Sequence, residues 1–505
     1  MLPTDTDFET KVSLETERTG IIEEPPFHFL VLGDWSGDGQ KKDLSERRPI
    51  EIDRDNFDEI LQKLNVCLEL DLQNDGNVLT FEFKELDDFH PDNIFHQIPL
   101  FSDLRDLRRR LAKADTFNSA AREVRGWFDN AETTSNEVEA TVRSENSLPN
   151  SDNLLDQILS GDFVPSKPQA KHSSELNKLI GDLVKPHLIG FDENEQSKLL
   201  SAVDKATGDL MRKILHHPKF QELEAAWRGL YFLIRGTDTD VDLKICILNI
   251  SKNELSDNLK NVSSLADSLP YRWLISETTD RLGVEPWAFV CGNYSFSPTV
   301  EDVAVLMRMS KIASFADSPF ISHIRPEVLG IQSFAESPNN EMWNFSEDTT
   351  EGKLWSALRS IPESEYLGLT IPRFLARLPY GSATEPLENF AFEEFINNSI
   401  HEQYLWANSG FSCALLLAQS YRANGWEMGQ SLKQDIEGLP IHIYKSDGET
   451  ITKPCAEVVF TQIACEKMME YGLMPLLSFR NTDRVRLARF QSISNPVTAL
   501  KGKWS

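Results

Sequence analysis

Residues 214–234, ILHHPKFQELEAAWRGLYFLI, constrain the fold more than any other stretch of the chain. Phe220, Leu223, Trp227, Leu230 and Tyr231 recur at three- and four-residue spacing, which places them on one face of a helix. Pro218 suits the first helical turn, where its missing N–H is no loss, and Gly229 interrupts the pattern near the end without a side chain to pack. So much aromatic surface has to be covered, and the stretch therefore predicts a packed face with little chemistry of its own. His216 and His217 invite comparison with a metal site, but neighbours on a helix point about 100° apart and do not chelate one ion together.

A chain of 505 residues exceeds what one hydrophobic core holds, so two or three domains are expected. The formal charge of -28 argues against a general nucleic-acid binder or an adhesive for anionic membranes, since both need basic surface. Cys67, Cys246, Cys291, Cys413, Cys455 and Cys465 form no CxxC pair and no ligand-like cluster, which reads as reduced, buried thiols. The first ten residues, MLPTDTDFET, are acidic and polar where a signal peptide is basic and then apolar, and no apolar run approaches the roughly 20 residues that span a bilayer. The expectation is a soluble, cytoplasmic protein with no membrane insertion.

Near the N-terminus, Val12 and Leu14 alternate with polar residues as far as Glu17, the pattern of a short strand. Such a strand pairs within its own domain or is lent to a neighbour's sheet edge. Phe27 to Leu32 predicts a buried strand entering the turn GDWSGDG. That turn lacks the Gly-Lys-Ser/Thr of a phosphate loop, and Asp34 and Asp38 repel an anion. Asp53, Asp55 and Asp58 imitate the start of a calcium loop, but the sixth and twelfth positions are Asp58 and Leu64 where Gly and Glu are required. Asp53 or Asp55 is better read as the cap of a helix carrying Phe57, Ile60, Leu61 and Leu64. Leu68, Leu70 and Leu72 then alternate as a strand, and LTFEFKEL from Leu79 makes another. Residues 92–111 show one amphipathic helical pattern whose Arg105, Arg108, Arg109 and Arg110 suit a solvated C-terminal end.

Residues 129–153 turn to Glu, Ser, Thr and Asn and read as a linker. Leu154, Leu155, Ile158 and Leu159 follow as a short amphipathic helix that needs a docking surface or a partner. Residues 175–232 are helical in pattern. After them DLKICILNI, WAFVCGNYSFS (breaking at Gly292) and EDVAVLMRMSKIASFADSPFIS give the β, α, β order of an α/β domain. In LGLTIPRFLARLPYG, Arg373 and Arg377 stand four apart, which on a helix gives one face able to clamp a carboxylate, as a structural ion pair or an inter-subunit contact. His401, Glu402 and Tyr404 offer an acid and a base, but no nucleophile or oxyanion loop accompanies them. Two strands around Asp447-Gly448 and a helix from Cys465 through Tyr471 complete the pattern.

Two groups of phrases carry a resemblance. HHPKFQELEAAWRGL, the LGLTIPRFLARLPYG phrase and HEQYLWANSGFSCALLLAQSYRANGW are similar to the large subunit of the type VI secretion contractile sheath, the TssC or VipB family. FHFLVLGDWSG, ERRPIEIDRDNFDEIL and FEFKELDDFHPDNIFHQIPLFSDLRDLRRRL resemble the small subunit, TssB or VipA, in the right order. The resemblance implies a natural fusion with an N-terminal strand and linker at 1–26, a small-subunit-like domain at 27–128, a linker with a short helix at 129–174, and a large-subunit-like domain at 175–505 without the family's usual C-terminal strands. It implies a mixed α/β contractile-sheath fold, the two parts packed as an intramolecular pseudo-heterodimer.

In such sheaths the two subunits form a heterodimer, and neighbouring protomers are stitched together by exchanged strands. Val12, Leu14 and Glu17 are then the candidate lent strand, while Leu154, Leu155, Ile158 and Leu159 match the segment that a hexameric recycling unfoldase grips. The implied role is structural, with no catalytic residue, metal or cofactor: an accessory component that caps, nucleates or limits sheath assembly by one-sided strand exchange. Its partners are sheath subunits or baseplate proteins. Other readings are a bulk sheath subunit, half of a split subunit, and an α/β hydrolase or NTPase.

Overall fold

Alternation along the central strands builds two cores at once. In the computed structural model, which describes residues 24–72, 78–124, 195–278, 285–338, 340–344, 348–396, 401–446 and 448–505 together with Ile180 and Val184, strand β1 (Phe27–Gly33) sends Phe27, Phe29 and Val31 to one core and Leu30 and Leu32 to the other. Strands buried on both faces read as continuous apolar runs, which is how FHFLVL reads. Strands β2 (Ile50–Ile52), β3 (Val66–Asp71) and β4 (Val78–Phe83) follow. Then come β5 (Leu243–Asn249), β6 (Val290–Phe296), β7 (Phe320–Ile324), β8 (Leu367–Ile371), β9 (Phe374–Leu375) and β10 (Trp406–Ala407). The last are β11 (Asp435–Ile436), β12 (His442–Ser446), β13 (Glu449–Lys453), β14 (Met474–Ser478) and β15 (Val485–Leu487).

One nine-stranded sheet runs β11-β15-β14-β8-β7-β6-β1-β5-β2. Its middle, β5, β1, β6, β7, β8 and β14, is parallel throughout. Strand β1 is central: it pairs with β5 over seven positions, Phe27 with Leu243 to Gly33 with Asn249, and with β6 from Leu30 to Leu32. Strands from the two stretches of the chain therefore share one sheet. Hairpins β3–β4 and β12–β13 stand apart from it.

Helices α1 (Phe57–Lys63), α2 (Pro91–Gln97) and α3 (Pro99–Ala112) belong to the first part. Residues 92–111, expected as one helix, are two, because Ile98 is extended and Pro99 starts a new first turn. Asn56 occupies the cap position of α1, in place of the expected Asp53 or Asp55, and Asp53 accepts the N–H groups of Asp55 and Asn56. Helices α4 (Glu195–Leu215) and α5 (Pro218–Arg235) replace the single helical run, with His217 capping α5 by accepting the Lys219 N–H. Helices α6 (Lys252–Lys260), α7 (Val300–Ala316), α8 (Thr350–Ser360), α9 (Gly410–Asn424) and α10 (Gln462–Glu470) complete the layers. Helices α5 and α9 cover one sheet face; α6, α7, α8 and α10 cover the other. Strand β6 runs through Gly292 to Phe296 where a break was expected, and takes up the irregularity as a register shift between Gly292 and Ser295.

The face of α5 meets the first part of the chain. Phe220 stacks edge-on against Phe81, Phe83 and Phe89, and Trp227 against Trp35 and Phe57. The Trp227 indole donates to the Trp35 carbonyl at 2.9 Å. Of the five predicted face residues, Tyr231 alone is open, 39% exposed, and it touches Phe57 at the edge of the contact. Gly229 is where α9 crosses: a Cβ there would lie 2.6 Å from the Phe411 ring.

Candidate functional site

The phrase holding Arg373 and Arg377 is extended, so the two do not share a helix face. Strand β9 pairs with β10, and the N–H groups of Leu375 and Ala376 donate to the carbonyls of Cys455 and Leu405. These bonds, together with Pro372, which has no N–H for a helix, hold the backbone open. The arginines enter two separate clusters.

Arg377 bridges two buried glutamates, Glu224 on α5 through Nε at 2.8 Å and Glu394 through Nη1 at 2.8 Å. Arg228 closes on Glu224 at 2.7 Å and donates to the Tyr380 hydroxyl at 3.0 Å, and the Tyr380 N–H donates to Glu394 at 2.8 Å. His216 stands 3.4 Å from the same Glu394 carboxylate. Burial alone pushes the Glu394 carboxyl up, but Arg377 and the hydrogen bonds converging on it hold it at about 2. Two guanidiniums and two carboxylates make a charge-balanced cluster.

Arg373 donates to Glu457 at 2.6 Å and reaches Glu402 at 3.3 Å. His401 lies 3.6 Å from Glu457 on one side and meets Lys453 Nζ at 2.8 Å on the other. Burial brings the Lys453 ammonium down to about 8, against the pull of Glu457 and Glu402. Tyr404 meets His442 Nδ1 at 2.8 Å. Three residues that suggested acid–base work thus fasten loops around β10 and the β12–β13 hairpin.

A cleft of about 710 Å³ opens at the carboxyl ends of β1, β5, β6 and β7, and Arg373, Glu402 and Glu457 stand on its wall. Beneath it, His323 Nδ1 lies 3.1 Å from both the Thr370 carbonyl and Ser409 Oγ. This looks like an activated serine, but the proton runs the other way. The Thr370 carbonyl only accepts, so Nδ1 carries the proton and Ser409 is not donating to it. Thr370 Oγ1 donates to the Ser322 carbonyl, which leaves Ser409 to donate to Thr370 Oγ1 at 2.7 Å. Burial holds His323 down to about 3, so it stays neutral. The chain of hydroxyls locks β7 to β8 and to the start of α9.

The GDWSGDG turn is likewise committed. Asp34 pairs with Lys41 at 2.7 Å, and Asp38 accepts the Glu69 N–H at 3.0 Å and faces Lys219 at 3.3 Å. Gly37 has a φ of 59°, and a Cβ there would sit 2.6 Å from the Cys67 carbonyl oxygen, so the turn is shaped to pair with β3. Asp38 guards that edge of the hairpin. Gln97 does the same for β4, its amide accepting from the Glu82 N–H and donating to the Glu82 carbonyl. The RRP phrase ties the parts further, Arg47 gripping Glu254 at 2.7 and 3.0 Å.

Val12, Leu14 and Glu17, and Leu154, Leu155, Ile158 and Leu159, lie outside the described residues. Glu224, Glu394, Glu457 and His323 were missed from the sequence. Glu224 with Arg228 has the spacing of an ordinary exposed helix pair, and nothing local tells that both are covered. Among the described residues no group of three or more His, Cys, Asp and Glu is placed to hold a metal ion, and no helix is long and apolar enough to cross a membrane.

Residues 197–494 match the VipB family model, described as EvpB/VC_A0108, tail sheath N-terminal domain. Residues 10–146 match the type VI secretion system VipA model. The type VI secretion system sheath protein TssC1 of Pseudomonas aeruginosa (strain PAO1) is 36% identical over 334 residues, 65% of this chain and 65% of that protein. The chain thus spans about 65% of the length of the curated relative it matches. A VipA-like stretch and a VipB-like stretch follow each other on one polypeptide, and the chain belongs to the type VI secretion tail sheath family as a fusion of small- and large-subunit parts.

Proposed function

We propose that the chain is a structural component of a type VI secretion contractile sheath, an accessory protomer that caps, nucleates or limits sheath growth through strand exchange on one side. The observation that carries the reading is the place of β1. A strand from the VipA-matched stretch lies between two strands of the VipB-matched stretch, over a seven-position register with β5. On this reading the contact that ordinary sheaths make between two chains is made within one. The charged clusters support it, because their ions are paired with one another and hold elements together.

The outer strands favour the accessory role over bulk subunit. Strand β2 has three residues and β11 has two, and both described edges of the β3–β4 hairpin are engaged by side chains. A strand arriving from a neighbour finds few open backbone groups there. Sheath subunits are the first partners on this reading; baseplate proteins and a recycling unfoldase follow from the same resemblance, and the cytoplasm is the working place.

The test is to add the purified chain in substoichiometric amounts while small and large sheath subunits assemble, and to follow sedimentation and negative-stain electron microscopy. Shorter or more numerous tubes, with the labelled chain at their ends, are expected. Long tubes built from this chain alone make it a bulk subunit. No cosedimentation with sheath removes the assembly role.

A further inference from the structure

The parallel strands reverse their order of addition at β1. Strand β5 is laid on one side of β1, after which the chain returns past it and adds β6, β7 and β8 outward on the other. In open α/β sheets, ligands bind outside the carboxyl ends of the strands at such a reversal. Here that position is the 710 Å³ cleft, bounded by Asp34 after β1, Ser251 after β5, Ser295 on β6 and Arg325 after β7. Its volume is that of a ligand pocket.

Two acceptors in this cleft have no donor among the described residues. His323 lines the cleft and is 2% exposed, and with Nδ1 engaged by Thr370 and Ser409, Nε2 is the ring nitrogen left over. The tautomer argued above puts a lone pair there. Glu327, which also lines the cleft, has a buried Oε2 with no hydrogen-bond partner. The Glu327 oxygen carries an uncompensated desolvation cost, which a donor would remove. The charges agree. Six carboxylates and four cations line the cleft. Asp34 is paired with Lys41, Asp38 with Lys219, and Glu402 and Glu457 with Arg373, while Lys252 faces Asp302 outside the cleft lining; this leaves Glu222 and Glu327 against Arg325.

We propose that this cleft receives a basic side chain, a guanidinium or ammonium group presented by a partner protein, whose N–H donors satisfy His323 Nε2 and Glu327 Oε2. A net charge of -28 draws such a partner over long range. An anion is disfavoured by the surplus of carboxylates, and a neutral donor leaves that surplus in place.

The test uses the full chain labelled with ¹⁵N-histidine, titrated at low salt with acetyl-Gly-Arg-Gly-amide and followed through the His323 Nε2 resonance. Acetyl-Gly-Glu-Gly-amide is the charge control and spermidine the free polyamine. The arginine peptide is expected to shift Nε2 and the glutamate peptide to leave it. Glu327→Gln is expected to weaken binding about tenfold, the loss of one charge-assisted hydrogen bond. Arg325→Gln, at an exposed position, is expected to tighten it by removing a like charge. No shift with the arginine peptide, or an affinity that both substitutions leave unchanged, overturns the proposal. Spermidine binding as tightly as the peptide overturns the assignment to a partner protein. None of these readouts depends on sheath assembly, so the accessory-protomer reading stands or falls separately.

Discussion

Replacing Arg377 by Met removes the one cation shared by Glu224 and Glu394, whose side chains are 0% and 1% exposed. Four hydrogen bonds to carboxylate are lost together. Glu224 keeps Arg228, but Glu394 is left with the Tyr380 N–H and the nearby His216. Breaking a buried pair from one side costs about 3–5 kcal/mol, and two carboxylates facing one vacated position put this case at the upper end. The pH dependence follows from Glu394. Its pKa is lowered from 4.5 to about 2 in the folded chain, so it contributes about 3 kcal/mol that is fully present above the unfolded value and lost as pH falls through that window. Without Arg377, burial dominates and the carboxyl rises above its unfolded value. The variant then gains stability by taking up a proton as pH falls, while the parent does not. Urea unfolding followed by tryptophan fluorescence should show the full deficit at about pH 8 and a smaller one at about pH 5. Arg377→Met with Glu394→Gln should recover at least half of it. A deficit under about 1 kcal/mol, or one equal at both pH values, refutes the reasoning.

Three further outcomes are expected. Gly229→Ala drives a methyl into the Phe411 ring and should cost about 2–3 kcal/mol in urea unfolding, partly regained with Phe411→Leu. Lys453 carries a pKa lowered to about 8, so its buried charge is a penalty below that pH that is relieved as pH rises toward 10.5; Lys453→Met should stabilise by about 1–2 kcal/mol near pH 7 and not near pH 10. Burial pushes the Cys291 thiol up to about 12 and holds the Cys413 thiol well above the ordinary thiol range, so both should resist a disulfide reagent until the chain unfolds, while the half-buried Cys67 reacts first.

The elements with strong periodicity were legible. FHFLVL, DLKICILNI and the helix from Val300 declared themselves because burial on one or both faces leaves a pattern that neighbours in sequence share. Where the answer depended on a partner distant in sequence, the pattern misled. PRFLAR has the spacing of a helical clamp, yet its backbone is claimed by Cys455 and Leu405. Residues 92–111 keep one amphipathic stripe across a break, because Pro99 restarts the helix almost in phase. Tyr231 fits the α5 face by spacing but lies where the first part of the chain ends its cover. At the cleft, His323 sits in PFISHIRP like any residue of a buried strand; its free nitrogen exists only because Thr370 and Ser409 take the other one.

The phrases most specific to the sheath family are specific for a mechanical reason. On α5, Phe220 and Trp227 face residues 35–89, Glu224 and Arg228 face the loop after β9, and Gly229 admits α9. One helix is read by three separate pieces of chain, so nearly every position is fixed by something other than its neighbours in sequence. The same holds for PRFLARLPYG, where Arg377 joins α5 to Glu394 and Arg373 joins Glu457 to Glu402. Ion pairs of this kind add little net stability over apolar packing, but they penalise every misaligned arrangement by leaving a charge unpaired. A chain whose two parts must stay in register gains more from that penalty than from extra hydrophobic area, which tolerates sliding. The charged clusters are therefore the register marks of this fold, and the acceptors left open in the cleft are the place where the same rule, a buried group awaiting its counterpart, extends beyond the chain itself.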